Sequence, residues 1–189
     1  MIIANKVRLR EKRLADAVDD YAWEIDPELA KLDASIPLAI SFPQYLSEYA
    51  SGLRHLPPTR HLFAIETIDG NHIGNCVYYG VDEAKSEAEL GIMIGNRNYW
   101  NEGYGTDAVT TLINHIFSET RLIRIYLKTL DWNTRAQECF QNCGFTPCGH
   151  VVKDGYNLVL MELQRQVWER RKTEKSSGLL TNFENCASI

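Results

Sequence analysis

The segment from Glu87 to Phe117 constrains the fold more than any other. A strand-like run, Glu87–Ile94, stops at Gly95 and is followed by a polar loop, residues 96–102. Gly103-Tyr104-Gly105-Thr106 then opens a stretch in which Ala108, Val109, Leu112, Ile113, Ile116 and Phe117 recur in pairs four apart. Pairs at that spacing form one apolar helix face. The first N–H groups of a helix lack internal partners and carry the positive end of its dipole. Two glycines at this point let a ligand approach the backbone closely. The unit is therefore an anion site, best suited to phosphate or pyrophosphate.

Two other readings compete. Gly103–Ala108 matches G-x-G-x-x-A, the dinucleotide fingerprint. That fingerprint follows its strand directly and opens a series of parallel βα units; here seven residues, 96–102, intervene, and too few βα units follow. The blander reading is a glycine-rich helix start with no ligand.

The remaining elements suggest an α/β domain. Val7–Arg10 reads as a short first strand, and a helix follows from about Leu14 to Ile25, broken at Asp26-Pro27. An irregular segment leads to a second helix, Phe42–Leu53, with Pro43 in its first turn. His61–Thr67, His72–Tyr79 and Glu87–Ile94 are three strands separated by turns, an antiparallel meander. Leu122–Leu130 is a further strand. Asn133 is placed to cap a helix that ends near Cys143, and Gly144 to close it in a left-handed conformation. Val151-Val152 and Tyr156–Leu163 read as a closing hairpin about Asp154-Gly155. The domain spans residues 1–164. Residues 165–189 form a basic helix, with Trp168 on one side, and a tail opening at Ser176-Ser177-Gly178. Trp168, Leu179, Leu180 and Phe183 are the contacts expected if this tail pairs two copies into a homodimer.

Charge and cysteine usage narrow the function. A formal net charge of -5 argues against a nucleic-acid surface and weakly favours a cationic substrate. Five cysteines form no C-x-x-C pair, and five scattered histidines show no ligand spacing, so no metal site is expected. No apolar run approaches the roughly 18 residues of a membrane span. The N-terminus does not read as a secretory signal, which places the protein in the cytoplasm.

The stretch Glu87–Phe145 resembles the GNAT superfamily of N-acetyltransferases, its RimJ/RimL-like branch most closely. Tyr99-Trp100-Asn101-Glu102-Gly103-Tyr104-Gly105-Thr106-Asp107-Ala108 is similar to that branch's Y-W-G-K-G-Y-G-T-E-A loop. In the superfamily pattern [QR]-x-x-G-x-[GA] the glycines match and Trp100 stands at the Gln/Arg position. Asn133–Phe145 resembles N-x-x-A-x-x-x-Y-x-x-x-G-F, with Ala136 in place and Phe140 at the usual Tyr.

The resemblance implies a mixed, mostly antiparallel sheet of about seven strands with splayed central strands, flanked by about four helices. It implies acetyl-CoA as co-substrate and an amine acceptor, either a small molecule or a protein N-terminus. Backbone groups near Ile92, Met93 and Ile94 would pair with pantetheine and the thioester carbonyl. Amides from Asn101 through Glu102, Gly103, Tyr104 and Gly105 to Thr106 would hold the pyrophosphate, beside Trp100. Asn133, Ala136 and Phe140 would face the thiol arm. Acyl transfer needs a neutral amine and a stabilised oxyanion. Glu89, on a strand face with Gly91 and Met93, is the first candidate for general base, and Glu66 the second. Tyr21, Trp23, Tyr78 and Tyr79 are read as core aromatics, with an acceptor pocket as the alternative. A phenylalanine at 140 cannot protonate a departing thiolate, which keeps a non-catalytic acyl-CoA-binding module as the competing function.

Overall fold

A computed structural model describes the backbone of residues 1–184 and the side chains of residues 1–174. Its elements are β1 (Ile2–Ile3), β2 (Val7–Glu11), α1 (Ala17–Glu24), α2 (Pro27–Leu32), α3 (Phe42–Arg54), β3 (His61–Thr67), β4 (His72–Asp82), β5 (Glu87–Ile94), α4 (Tyr104–Glu119), β6 (Arg124–Leu130), α5 (Thr134–Cys143), β7 (Thr146–Lys153), β8 (Tyr156–Gln164) and α6 (Arg165–Glu184). The strands form one sheet in the order β1-β2-β3-β4-β5-β6-β8-β7. Every neighbouring pair is antiparallel except β5 and β6, which run parallel.

The expected mixed sheet is present, with eight strands rather than about seven and, among the described residues, six α-helices rather than about four. The added strand is β1, formed by pairing with β2, and α2 is an added helix. Asp26-Pro27 ends α1 but also starts α2: the Asp26 carboxylate accepts the N–H groups of Glu28 and Leu29, and Pro27 takes the first helical position. β7 begins at Thr146 and tolerates Pro147 because it is an edge strand, with a register shift between Pro147 and Gly149. α6 runs through Ser176-Ser177-Gly178, where a tail was expected to open. Leu179, Leu180 and Phe183, the expected tail contacts, have side chains outside the described residues. No described helix is long and apolar enough to cross a membrane.

The core fills one face of the sheet. Ala108, Val109, Leu112, Ile113, Ile116 and Phe117 of α4 are at most 2% exposed and pack on Val7, Leu9, Ile65, Cys76, Leu90, Ile125 and Met161. Burial of each large aliphatic or aromatic chain is worth about 1.5–3 kcal/mol. Arg165 ties the start of α6 to the end of α4, donating to the carbonyls of Phe117, Thr120 and Leu122 at 2.7–2.8 Å. Trp168 packs on Phe117.

The opposite face, beneath α1, carries charge. Arg10 donates to both Asp16 oxygens at 2.8 Å and to Glu66 at 2.9 Å, with all three side chains nearly buried. Lys12 reaches Asp20 at 2.6 Å and Asn75 at 2.5 Å. Burial is the larger influence on Lys12 and lowers its pKa despite Asp20. Burial also works to raise the Asp16 carboxyl, but hydrogen bonds from Arg10 and the Arg13 N–H outweigh it and bring it to about 2.

A carboxyl depressed in the folded state contributes stability above its unfolded value, and that contribution is lost as pH falls through the folded value. Asp16 should therefore contribute about 2 kcal/mol that disappears between roughly pH 4 and pH 2. Denaturant melts across this window should show the loss in the native chain. Asp16→Asn should be less stable at neutral pH and lose correspondingly less below pH 4; parallel pH curves for the two proteins would refute the assignment.

Candidate active site

β5 and β6 pair only from Glu87–Arg124 to Glu89–Tyr126. Beyond that point β5 continues to Ile94 against β4, and β6 continues to Leu130 against β8. The strands part into a V, and the β5 backbone after Glu89 has no strand partner on the side facing β6. Arg124 clamps the closed end, donating to Glu87 at 2.5 Å and Glu162 at 2.6 Å. Burial would lower the guanidinium pKa, but these two carboxylates outweigh it and raise it.

A cavity of about 430 Å³ opens at the parted end. It is lined by Ile92, Met93 and Ile94 of β5, by Trp100, Asn101, Gly103, Gly105 and Thr106, and by Asn133, Ala136 and Phe140 of α5 and its cap. The structure thus brings together two sequence segments that were read separately. Glu102 and Tyr104 do not line the cavity: the Glu102 carbonyl accepts from Lys6 Nζ at 2.7 Å, and the Tyr104 ring packs edge-on against Tyr99.

The anion site is built from orphan donors. Gly103 sits at the N-cap of α4 with φ of 79°, a conformation glycine adopts without strain, and no side chain caps the helix. The amides of its first turn are therefore left for a ligand. Asp107 fixes this helix start by accepting the N–H groups of Lys6 and Val7 at 2.7 and 3.2 Å. A Cβ at Gly105 would meet only ordinary contacts, Cys139 Sγ at 3.6 Å and Ile94 Cγ1 at 3.8 Å. The room beside these donors suits a pyrophosphate, so the residues present fit coenzyme A.

Trp100 departs from the expectation attached to its position. Its indole Nε1 donates to the Ile94 carbonyl at 2.6 Å, so the side chain braces the end of β5. Arg97 lies 5.5 Å from the ring centroid and Arg135 3.8 Å. Asn133 caps α5, its Oδ1 accepting the Ala136 N–H at 3.2 Å. Phe140 is 8% exposed and packs edge-on against Phe145 while bordering the cavity. Cys139 also borders it, 3.5 Å from the Thr106 hydroxyl and therefore beside the anion loop.

Neither sequence-designated glutamate lines the cavity. Glu89 forms the last β5–β6 pair, at the apex of the V, and its carboxylate takes Lys128 Nζ at 2.7 Å. It faces Tyr79, whose hydroxyl is pushed up by burial and by this carboxylate. Glu66 lies on β3 in the ion network with Arg10. Two carboxylates do line the cavity: Asp33, just past α2 together with Leu29 and Leu32, and Glu138 on α5. Asp33 has open surface, yet it is recessed among protein groups and the resulting desolvation raises its carboxyl pKa. Glu24 is raised as well, by burial first and then by Asp33 and Asp20. Sequence reasoning missed Asp33 and Arg135. No motif marks the former, and the latter lies inside a quoted motif without a role in it.

Of the four aromatics, Trp23 and Tyr78 are core groups, at 9% and 4% exposure. A Cβ on Gly95 would lie 2.1 Å from the Trp23 ring, so that packing requires glycine. The Tyr21 hydroxyl donates to the Ile40 carbonyl at 2.9 Å.

The acetyltransferase (GNAT) domain family matches residues 6–146. An uncharacterized N-acetyltransferase p20 of Bacillus licheniformis is 26% identical over 145 residues, 76% of this chain and 81% of that protein. Spermidine N-acetyltransferase from Vibrio cholerae, solved with CoA and spermine, superposes with a TM-score of 0.76 at 18% identity, covering 86% of this chain and 97% of that one. Aminoglycoside acetyltransferase AAC(6')-Ib, solved with coenzyme A and kanamycin, gives a TM-score of 0.72 at 20% identity, covering 88% and 99%. At these identities the two structural likenesses extend to the fold.

Gly105→Val tests the anion site. The Cβ meets only ordinary contacts there, so the variant should fold, and a thermal melt checks this. Affinity for acetyl-CoA should fall at least tenfold, about 1.4 kcal/mol. Calorimetry showing normal affinity in the folded variant would place the phosphates elsewhere.

Proposed function

The chain belongs to the acetyltransferase (GNAT) domain family, and from that membership we propose that it acetylates a small cationic amine of the polyamine or aminoglycoside kind. The observation that carries this reading is the Asp33 carboxylate on the cavity wall. Asp33 lines the cavity shared by the β5 end and the anion loop, and its charge reaches Glu24 and helps to raise that carboxyl. A net charge of -5 favours approach of the same substrate class. The spermine and kanamycin bound by the two structural neighbours are amines of this kind.

Acetyl-CoA supplies the acetyl thioester. The protein's part follows from its own groups. The first-turn amides of α4 hold phosphate, and the free β5 backbone offers N–H donors to the developing oxyanion. Asp33 holds a cationic group of the acceptor. Glu89, at the apex of the V and paired with Lys128, takes the proton of the attacking amine directly or through water; Glu66, bridged to Arg10, is the alternative base. Direct attack needs no covalent enzyme intermediate. Phe140 donates no proton, which acyl transfer from a thioester tolerates because a thiol of pKa near 8.5 leaves as thiolate.

The loop Tyr99–Ala108 supports placement in the RimJ/RimL-like branch, and a protein N-terminus is the acceptor that branch would add. We take residues 1–164 as the catalytic domain and residues 165–189 as an appendage that pairs copies. The four described cysteines are free thiols, which supports a cytoplasmic setting.

Release of free thiol from acetyl-CoA over a panel of polyamines, aminoglycosides, amino sugars and N-terminal peptides, with mass spectrometry of the product, tests the reading. Acceptor-dependent release with polycationic amines is expected. Tight acetyl-CoA binding with no acceptor-dependent release would instead identify an acyl-CoA-binding module. On the best acceptor, Glu89→Gln should lower kcat by about 10²–10⁴-fold with acetyl-CoA affinity intact. A base must be unprotonated, so the native rate falls as pH drops, and this acidic limb should vanish in Glu89→Gln. Asp33→Asn should raise KM for polycations. Loss of the limb in Asp33→Asn, with its retention in Glu89→Gln, would transfer the base role to Asp33.

A further inference from the structure

Two guanidinium groups flank the Trp100 ring, and they differ in one respect. Arg97 is committed: it donates to both Asp26 oxygens at 2.8 and 2.9 Å and to Glu28 at 2.8 and 3.0 Å. Arg135 makes no ion pair among the described residues. It sits 3.8 Å from the Trp100 centroid, lines the cavity and follows the Asn133 cap by two residues. A guanidinium over an indole face is attracted by the ring and held in orientation. Its planar fork of N–H donors matches phosphate oxygens and makes no hydrogen bond among the described residues. Trp100 itself belongs to the loop that leads into the orphan amides of α4, so the shelf and the anion site are one piece of backbone. We propose that Arg135, stacked on Trp100, is a phosphate-binding residue for the nucleotide half of coenzyme A.

The division of labour follows from chemistry. The first-turn amides of α4 are neutral dipoles with fixed directions. They position a phosphate but leave its charge uncompensated. Arg135 brings a full positive charge to the same cavity wall. The Trp100 side chain is held by its bond to the Ile94 carbonyl, so it carries Arg135 at a set distance from β5. Lysine at 135 would supply the charge without the planar stack.

The inference rests on the acetyl-CoA reading, and calorimetry separates the two. Native protein, Arg135→Ala, Arg135→Lys and Trp100→Leu are titrated with CoA, with dephospho-CoA, which lacks the 3′-phosphate, and with pantetheine, which lacks all phosphates. Arg135→Ala should bind CoA about tenfold or more weakly, and Arg135→Lys should fall between it and the native chain. A loss that disappears with dephospho-CoA assigns Arg135 to the 3′-phosphate, and a loss that persists assigns it to the pyrophosphate; either supports the proposal. Pantetheine should not distinguish Arg135→Ala from native. In the Trp100→Leu background the Arg135→Ala effect should shrink, because the stacked platform is gone. Arg135 is solvent-exposed, so the variants should fold, and thermal melts check this. Equal CoA affinity of native and Arg135→Ala would overturn the proposal. A native chain that fails to bind CoA would instead sink the underlying reading.

Discussion

The loss of pairing between β5 and β6 after Glu89–Tyr126 is the constraint on which the site depends. A parallel pair that continued to Ile94 would consume the very N–H and C=O groups that a ligand needs. Opening two central strands leaves buried polar backbone without partners, and such groups must find others. The surrounding packing shows how the opening is held. Arg124 locks the closed end between Glu87 and Glu162. At the open end Trp100 takes the Ile94 carbonyl. A Cβ on Gly74 would lie 2.1 Å from the Met93 carbonyl oxygen, so only glycine lets β4 support β5 there. The apolar core under α4 and the ion network under α1 then fix the sheet from both faces.

The two walls of the cavity differ in chemistry, and the difference matches the two partners of an acetyl transfer. The wall built from the loop, the start of α4 and α5 presents amides and Arg135, with Glu138 beyond them, and the amides and guanidinium suit an anion. The wall contributed by α2 and the segment after it presents Asp33 with Leu29 and Leu32, and it suits a cation with an apolar stem. Glu89 stands at the apex, where β5 and β6 part. Charge complementarity of this sort orients a polycation before any bond is made.

Much of this was legible in the sequence because it rests on local signals. β3 and β5 fall at the expected residues, and α4 follows from its paired apolar positions. Asn133 caps α5, and Gly144 closes it with φ of 105°. The wall at the start of α4 was legible for the same reason: orphan amides and glycines are properties of one short segment. Other features depend on distant neighbours. Asp26-Pro27 carries both a stop and a start signal, and only the packing of α2 shows the second. β1 is two residues long and exists through its partner β2. Asp33 has no motif, and it enters the site through the fold, which brings the end of α2 to the cavity. Arg135 gains its setting from Trp100, 35 positions earlier (135 − 100). The ion pair of Glu66 with Arg10, 56 positions away, is likewise invisible in the sequence.

The central claim is that the freed end of β5 and the first turn of α4 together form the seat of coenzyme A. Amide hydrogen exchange of the native chain, measured with and without CoA, addresses it directly because those backbone N–H groups are the proposed donors. Added CoA should slow exchange in peptides covering residues 90–106 and the start of α5, and leave the exposed edge strand β7 unchanged. Unchanged exchange across residues 90–106 at saturating CoA, or protection confined to another part of the sheet, would contradict the account.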